Sequence, residues 1–237
     1  MSVDSFHVPH PESGGVMPWA MQLVVYRDRH EPARQVDVCE ATARAVVALL
    51  DDARSAEGGP WHDAVQHWVG GHIRKLVRRA DGKRWDDVQL LEGVSVEQAG
   101  PADFGVAAAR AFVPGPEEPQ PKAIDKLQIA GTNFPDEGVS LSVDALAVVE
   151  VSPLVEMTSG KMAAQCAHAA QRLYESAGTD GDPESTRASW RADGFRLQVD
   201  FPSVEQWHRT PRPVSIIDAG FTELGGLTET TRAYWRH

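Results

Sequence analysis

The sequence predicts an α/β protein in which one domain occurs twice in tandem. Similar short sequence segments recur in the same order about 120 residues apart. The segment "GVSVEQAG" at 93–100 resembles "PVSIIDAG" at 213–220, and "RAF" at 110–112 resembles "RAY" at 232–234. In both halves, apolar runs typical of buried strands alternate with alanine-rich stretches typical of helices. A segment rich in Pro, Gly and acidic residues separates the halves, which favours two copies of one fold over a single larger domain.

The repeat also sets the domain boundaries. We expect a flexible N-terminal tail at 1–19, a first domain at 20–115, a linker at 116–142 and a second domain at 143–237. The linker begins "PEEPQPKAIDKLQIAGTNFPDEG", a composition typical of a connecting segment that has at most one short ordered piece. Each copy has about a hundred residues, which is an ordinary size for a domain.

Both copies are expected to contain the same elements in the same order. Each begins with an apolar strand ("MQLVVY" or "ALAVVEV") and continues with an alanine-rich helix ("VCEATARAVVALLDDA" or "KMAAQCAHAAQRLYESA"). A short helix then ends at the repeated Trp68 or Trp190, and a strand follows it ("HIRKLVRR" or "FRLQVDF"). Two strands close each copy, "VSV" and "ARAFV" or "VSII" and "TRAYW". Strands alternating with helices predict helices packed on a sheet.

Composition limits the classes of function. The formal net charge is −11, which argues against a broad electrostatic attraction to nucleic acid. No run of eighteen apolar residues predicts a membrane span, and the first residues do not have the pattern of a signal peptide. Two cysteines in a chain of this length predict no disulfide framework, and they fit a reducing, cytoplasmic location.

The helix of the second copy carries a polar stripe. Lys161, Gln165 and His168 are spaced i, i+4 and i+7, so they share one helix face. Thr158 and the two residues after it are typical of a helix start, where free backbone N–H groups favour an anion such as phosphate. "IIDAGFTEL" places Asp218 where a strand ends, a common position for chemistry in α/β folds.

The first copy lacks most of these polar groups. Arg34 stands opposite Lys161, and the other counterparts of Gln165, His168 and Asp218 are Val38, Ala41 and Gln98. The apolar pattern is therefore retained while the polar set differs. This difference predicts a functional site in the second copy and a scaffold role for the first.

These motifs resemble those of the type 2 peptidyl-tRNA hydrolases, over the second copy at 143–237. That family has a Gly-Lys-x-Ala-Ala-Gln-x-x-His-Ala helix start, an Asp-Ala-Gly-x-Thr strand end and a Thr-containing last strand. The matching residues of the first motif are Gly160, Lys161, Ala163, Ala164, Gln165, His168 and Ala169, and those of the second are Asp218, Ala219, Gly220 and Thr222.

The resemblance implies a fold and an activity. The fold is two tandem domains, each a mixed four-stranded sheet with helices on both faces, related by a pseudo-twofold axis. The activity is hydrolysis of the ester that joins a peptide to the 3′ end of tRNA, without a metal or organic cofactor. Family members are typically dimers, so this chain is expected to be a monomer with an internal pseudo-dimer, or a further homo-oligomer, that binds peptidyl-tRNA or tRNA and no membrane.

The resemblance also assigns roles to residues. Lys161, His168 and Asp218 are the expected catalytic groups, and Gly160, Gln165 and Thr222 are expected to bind substrate. His168 and Asp218 remain alternative general bases. Cys166 is a less attractive nucleophile because it lies on the packing side of its helix and matches Cys39 of the first copy.

Two other functions stay open. The acidic charge and the degenerate first copy favour a non-catalytic member of the same fold that binds tRNA or a protein. A hydrolase of another small ester or amide is a third possibility, although no motif supports it. The densest basic run, "HIRKLVRRADGKR" at 72–84, lies in the first copy and would contact the tRNA backbone if the two copies pack together.

Overall fold

The structure is a computed structural model that describes residues 17–71, 73–176, 183–218 and 227–236. The chain forms two mixed sheets with helices packed on them, as the repeat predicts. The strands are β1 (Trp19–Tyr26), β2 (Arg74–Ala80), β3 (Gly93–Gln98), β4 (Ala107–Phe112), β5 (Gly115–Pro116), β6 (Ala147–Val151), β7 (Leu197–Asp200), β8 (Val214–Asp218) and β9 (Thr228–Trp235). The helices are α1 (Gln35–Asp51), α2 (His62–Val69), α3 (Gly82–Gln89), α4 (Lys122–Asp125), α5 (Ser159–Glu175), α6 (Pro183–Ala192) and α7 (Val204–Arg209).

The two sheets have the same topology. Their strand orders are β2-β1-β4-β3 and β7-β6-β9-β8. In each sheet the first strand of the copy pairs in parallel with the second, while the last strand pairs antiparallel with both of its neighbours. The short β5 adds a fifth strand to the first sheet by pairing with β1. The α/β class and the mixed sheets predicted from the sequence are therefore confirmed.

Alternating side chains of β1 pack against two different layers. Leu23 and Val25 belong to the large core that includes α1, whereas Val24 faces a smaller cluster with Val88 of α3 and Ile124 of α4. Both faces of β1 are buried, which explains why its sequence is apolar at every position except Gln22 rather than alternating. The first sheet thus has helices on both faces.

The repeated tryptophans occupy equivalent places. Trp68 and Trp190 are almost fully buried, and each donates its indole N–H to the backbone carbonyl six residues later, at 3.1 Å for Trp68 and 2.6 Å for Trp190. In both copies the ring therefore ties the end of a helix to the start of the next strand. Trp85 lies in α3 and Trp207 in α7, the helices that precede β3 and β8.

The two halves share one hydrophobic core. Helices α1 and α5 pack against each other, and each also contacts the other half's sheet, α1 at β7 and α5 at β2. The buried Cys39 and Cys166 thiols form a hydrogen bond where the two helices touch. This hydrogen bond, together with burial, raises the pKa of Cys166. The segment expected to be a linker is packed as well, since it contains α4 and buries Phe134 in the shared core.

The longest helices do not resemble membrane spans. Helices α1 and α5 have 17 residues each and carry charged and polar side chains. No helix in the described ranges is both long enough and apolar enough to cross a membrane.

Candidate functional site

One edge of the second sheet collects the polar groups. Strand β6 is parallel to β7, and β9 is antiparallel to both β6 and β8, so β6, β7 and β8 all run in the same direction. Their carboxyl ends therefore lie at one edge of the sheet. Asp218 is the last residue of β8, and α5 begins shortly after β6 ends, so the start of α5 returns to the same edge.

The start of α5 is fixed by a cap and by a close approach. The Thr158 side chain accepts a hydrogen bond from the Lys161 backbone N–H at 3.4 Å, as expected for an N-cap threonine. Gly160 lies against β2 and the 116–142 segment: a Cβ at this position would be 3.7 Å from the Thr132 Cβ and 3.9 Å from a Val77 methyl group. These are ordinary van der Waals distances, so the start of α5 packs directly against these two residues.

Lys161 and Asp218 form an ion pair at the centre of the site. The Lys161 Nζ lies 2.5 Å from the Asp218 Oδ2, and the two side chains are only 12 % and 15 % exposed. Gln165, one turn further along α5, donates its Nε2 to the same oxygen at 2.8 Å. A single carboxylate oxygen thus receives an ammonium and an amide hydrogen in a partly water-excluded place, where such bonds are stronger than at an open surface.

Two threonines of β9 complete the network. The Thr230 hydroxyl donates to Gln165 Oε1 at 2.8 Å, and the Thr231 hydroxyl donates to the Gln165 backbone carbonyl at 3.1 Å. Both threonines are fully buried. Neither was named among the residues expected at the site, although the sequence carried a signal for them, since a Thr-containing last strand is part of the family pattern that this chain resembles.

His168 lies apart from this network. Within the described part of the chain it forms no hydrogen bond, and burial, together with the nearby charges of Lys75 and Arg172, lowers its pKa to about 2. Residues 165 and 168 differ by about 60° around the helix axis, so the two side chains point in different directions from α5. Gln165 faces β9, whereas His168 faces the first half of the chain.

The neighbour of His168 is a lysine from the first half. Lys75 of β2 donates its Nζ to Gln171 Oε1 at 2.5 Å and lies 4.9 Å from the centre of the Trp68 ring. Burial lowers the pKa of Lys75 to about 7, despite the opposing effect of Glu175. Lys75 and His168 therefore belong to the contact between α5 and β2. Of the expected site residues, the structure brings together the side chains of Lys161, Gln165 and Asp218.

The corresponding place in the first copy is closed. Arg34 binds Asp37 through two hydrogen bonds, at 2.7 Å and 2.8 Å, and donates a third to the Val139 carbonyl at 2.9 Å. The Arg34 and Asp37 side chains are 3 % and 0 % exposed. Gln98, the counterpart of Asp218, accepts a hydrogen bond from Arg44 at 2.6 Å instead of facing an ammonium. Among the described residues, the counterparts Arg34 and Gln98 therefore make contacts other than those of Lys161 and Asp218.

Part of the expected site lies outside the described residues, namely Thr222 with the neighbouring Ala219 and Gly220. Among the residues that are described, no three His, Cys, Asp or Glu side chains form a group able to hold a metal ion. Comparison with protein-family models, with curated proteins and with solved structures gave no match.

Proposed function

We propose that the second copy hydrolyses the ester bond of peptidyl-tRNA at the Lys161–Asp218 pair. The observation that carries the proposal is the shared Asp218 oxygen, which receives both the Lys161 ammonium and the Gln165 amide at the carboxyl edge of the sheet. Together with the motif resemblance, this arrangement supplies a base, a cationic donor and a rigid support. The setting that fits this substrate is the cytoplasm.

The chemistry follows from these three groups. A water oxygen attacks the ester carbonyl carbon, and the Asp218 carboxylate accepts the water proton. The carbonyl oxygen becomes an oxyanion, and Lys161 stabilises that charge. When the tetrahedral intermediate collapses, the bond to the terminal ribose oxygen breaks, and the leaving hydroxyl takes the proton back from Asp218. The products are a free ribose hydroxyl and a peptide carboxylic acid, which ionises to the carboxylate by releasing its proton to water.

The proposal assigns proton transfer to Asp218 rather than to His168. With a pKa of about 2, the His168 imidazole is neutral at physiological pH and a weak base. It also faces the contact with β2 rather than Asp218. His168 then positions α5 against the first half, while Gln165 and Thr230 hold the carboxylate.

The proposal includes an internal pseudo-dimer. Its support is the identical strand order of the two sheets, the reciprocal contacts of α1 with β7 and of α5 with β2, and the meeting of Cys39 with Cys166. A pseudo-twofold axis through the α1–α5 contact accounts for all three. The first copy then acts as the partner that a single-domain protein would obtain by dimerising.

A non-catalytic role is the second candidate. The net charge of −11 and the closed Arg34 site favour a protein that keeps the fold and binds tRNA or another protein without cleaving an ester. Hydrolysis of peptidyl-tRNA at low salt distinguishes the two functions, because only the first requires turnover.

The decisive experiment compares turnover of peptidyl-tRNA by the full chain and three variants. Lys161→Ala and Asp218→Asn are each expected to lower kcat by about a hundredfold or more, the effect of losing an oxyanion donor or a general base. Lys122→Ala, which removes an exposed lysine from α4, is the matched control and is expected to retain full activity. Wild-type protein that binds tRNA but does not cleave peptidyl-tRNA would establish the non-catalytic role instead.

A further inference from the structure

Basic side chains gather at the carboxyl edge of the first sheet. An open cleft of about 510 Å³ lies where the parallel strands β1 and β2 end, and a second, smaller cleft adjoins it. The residues lining the two clefts include five guanidinium or ammonium groups and two carboxylates, Asp28 and Asp81. We refer to the five basic residues as the cationic track; they are Arg27, Arg29, Arg79, Lys83 and Arg84.

The track retains charge that the protein itself does not neutralise. Among the described residues, Arg27 and Arg84 form no ion pair, while Arg29 pairs with Asp81 and Lys83 pairs with Asp87 at the exposed surface. Asp28 keeps a negative charge in the cleft, because its Oδ1 accepts the backbone N–H groups of His30 and Glu31 at 2.7 Å and 3.1 Å, which lowers the pKa of the carboxyl; the five basic side chains still outnumber the two carboxylates that line the clefts. A locally positive surface on a chain of net charge −11 favours a specific anionic ligand there.

The track leads to the candidate site in the second copy. Arg79 donates to the Ala130 carbonyl at 2.8 Å and to the Thr132 hydroxyl at 3.4 Å. Thr132 in turn lies beside Gly160, the residue before Lys161, as the 3.7 Å approach to its Cβ shows. Through the buried Thr132, the Arg79 end of the track is therefore close to the start of α5.

We propose that the cationic track binds the phosphate backbone of the RNA whose 3′ end lies at Lys161. This inference rests on the proposed function, since it names where the body of the same substrate is held. The track lines two adjoining clefts rather than a single pocket, which suits several phosphodiesters better than one small anion. Tyr26, whose ring packs against Trp85 with 5.5 Å between the centroids, also lines the larger cleft, and an aromatic side chain there suits contact with an unpaired base better than contact with an acidic peptide.

The test measures binding of deacylated tRNA to the full chain as a function of salt. The track variant, Arg27→Gln/Arg84→Gln, removes the two unpaired cations. The control variant, Arg54→Gln/Arg172→Gln, removes the same number of charges away from the track, since Arg54 lies beyond the C-terminal end of α1 and Arg172 in the last turn of α5. We expect the track variant to bind at least about tenfold more weakly, with the slope of log affinity against log salt reduced by about 2. The control variant should bind as wild type does.

Turnover of a minimal substrate separates this inference from the proposed function. An N-acylated aminoacyl adenosine carries the ester but lacks the RNA body, so the track variant should cleave it at the wild-type rate. Equal loss of tRNA binding in both double variants, or no tRNA binding by wild type, would overturn the proposal that the track binds RNA. So would a track variant that loses affinity for polyglutamate while keeping its affinity for tRNA. If wild type cleaves neither ester but its tRNA binding still depends on the track, the proposed hydrolase activity is wrong and the proposed RNA-binding surface stands.

Discussion

Gln165 has two partners, and together they determine which way its amide points. The Thr230 hydroxyl donates to the Gln165 oxygen, so the amide nitrogen is the end that faces Asp218. The reversed amide would set a carbonyl oxygen against a carboxylate oxygen. A buried threonine thus controls the orientation of a carboxylate that it does not touch, which is a positioning role rather than a catalytic one.

His168 makes the stability of the protein sensitive to acid. Its pKa is about 2 in the folded protein and near 6.5 in an unfolded chain, so between these values only the unfolded state binds the proton. The stability that His168 contributes is present above about pH 6.5 and is lost as the pH falls toward 2. We expect His168→Gln to reduce the slope of unfolding free energy against pH by up to about 1.4 kcal/mol per unit between pH 5 and 3. Denaturant titrations across that range measure the slope, and an unchanged slope would contradict the assignment.

At the scale of single elements, the first turn of α1 depends on a buried ion pair. Replacing Arg34 with leucine would leave the Asp37 carboxylate buried without its cation, and such losses cost about 3–5 kcal/mol. The double variant Arg34→Leu/Asp37→Leu removes both charges and is expected to recover most of that stability. Chemical denaturation gives both values. A single variant within about 1 kcal/mol of wild type would show that Asp37 finds another partner.

The elements themselves could largely be predicted from the sequence, because apolar runs and alanine-rich stretches repeat in both halves. Lys161, Gln165 and Asp218 could be predicted too, since helical spacing and a strand end give their positions. The direction of His168 could not, because Lys75 of β2 lies about 90 residues earlier and no local pattern links the two. The packing of residues 116–142 could not be predicted from their composition either. A segment rich in Pro and Gly contains few apolar residues, yet Phe134 is buried in the shared core.

At the scale of the whole molecule, each half supplies a surface that the other buries. Helix α5 packs against α1 and β2, so Cys166, Ala170 and Leu173 become fully buried in a core to which both halves contribute. Removing the first half would expose these side chains, at a cost of about 25 cal/mol for each Å² of apolar surface returned to water. A marginally stable domain of about a hundred residues does not tolerate a large exposure of this kind.

We therefore expect residues 143–237 alone to lack a cooperative unfolding transition, whereas the full chain shows one. Circular dichroism during thermal unfolding measures this difference. The matched control is co-expression of residues 17–142 with 143–237 as separate chains, which restores the α1–α5 contact without the covalent link. Co-purification of the two pieces with a cooperative transition is the expected result. A cooperative, monomeric 143–237 fragment would show that the second half does not need the first in order to fold.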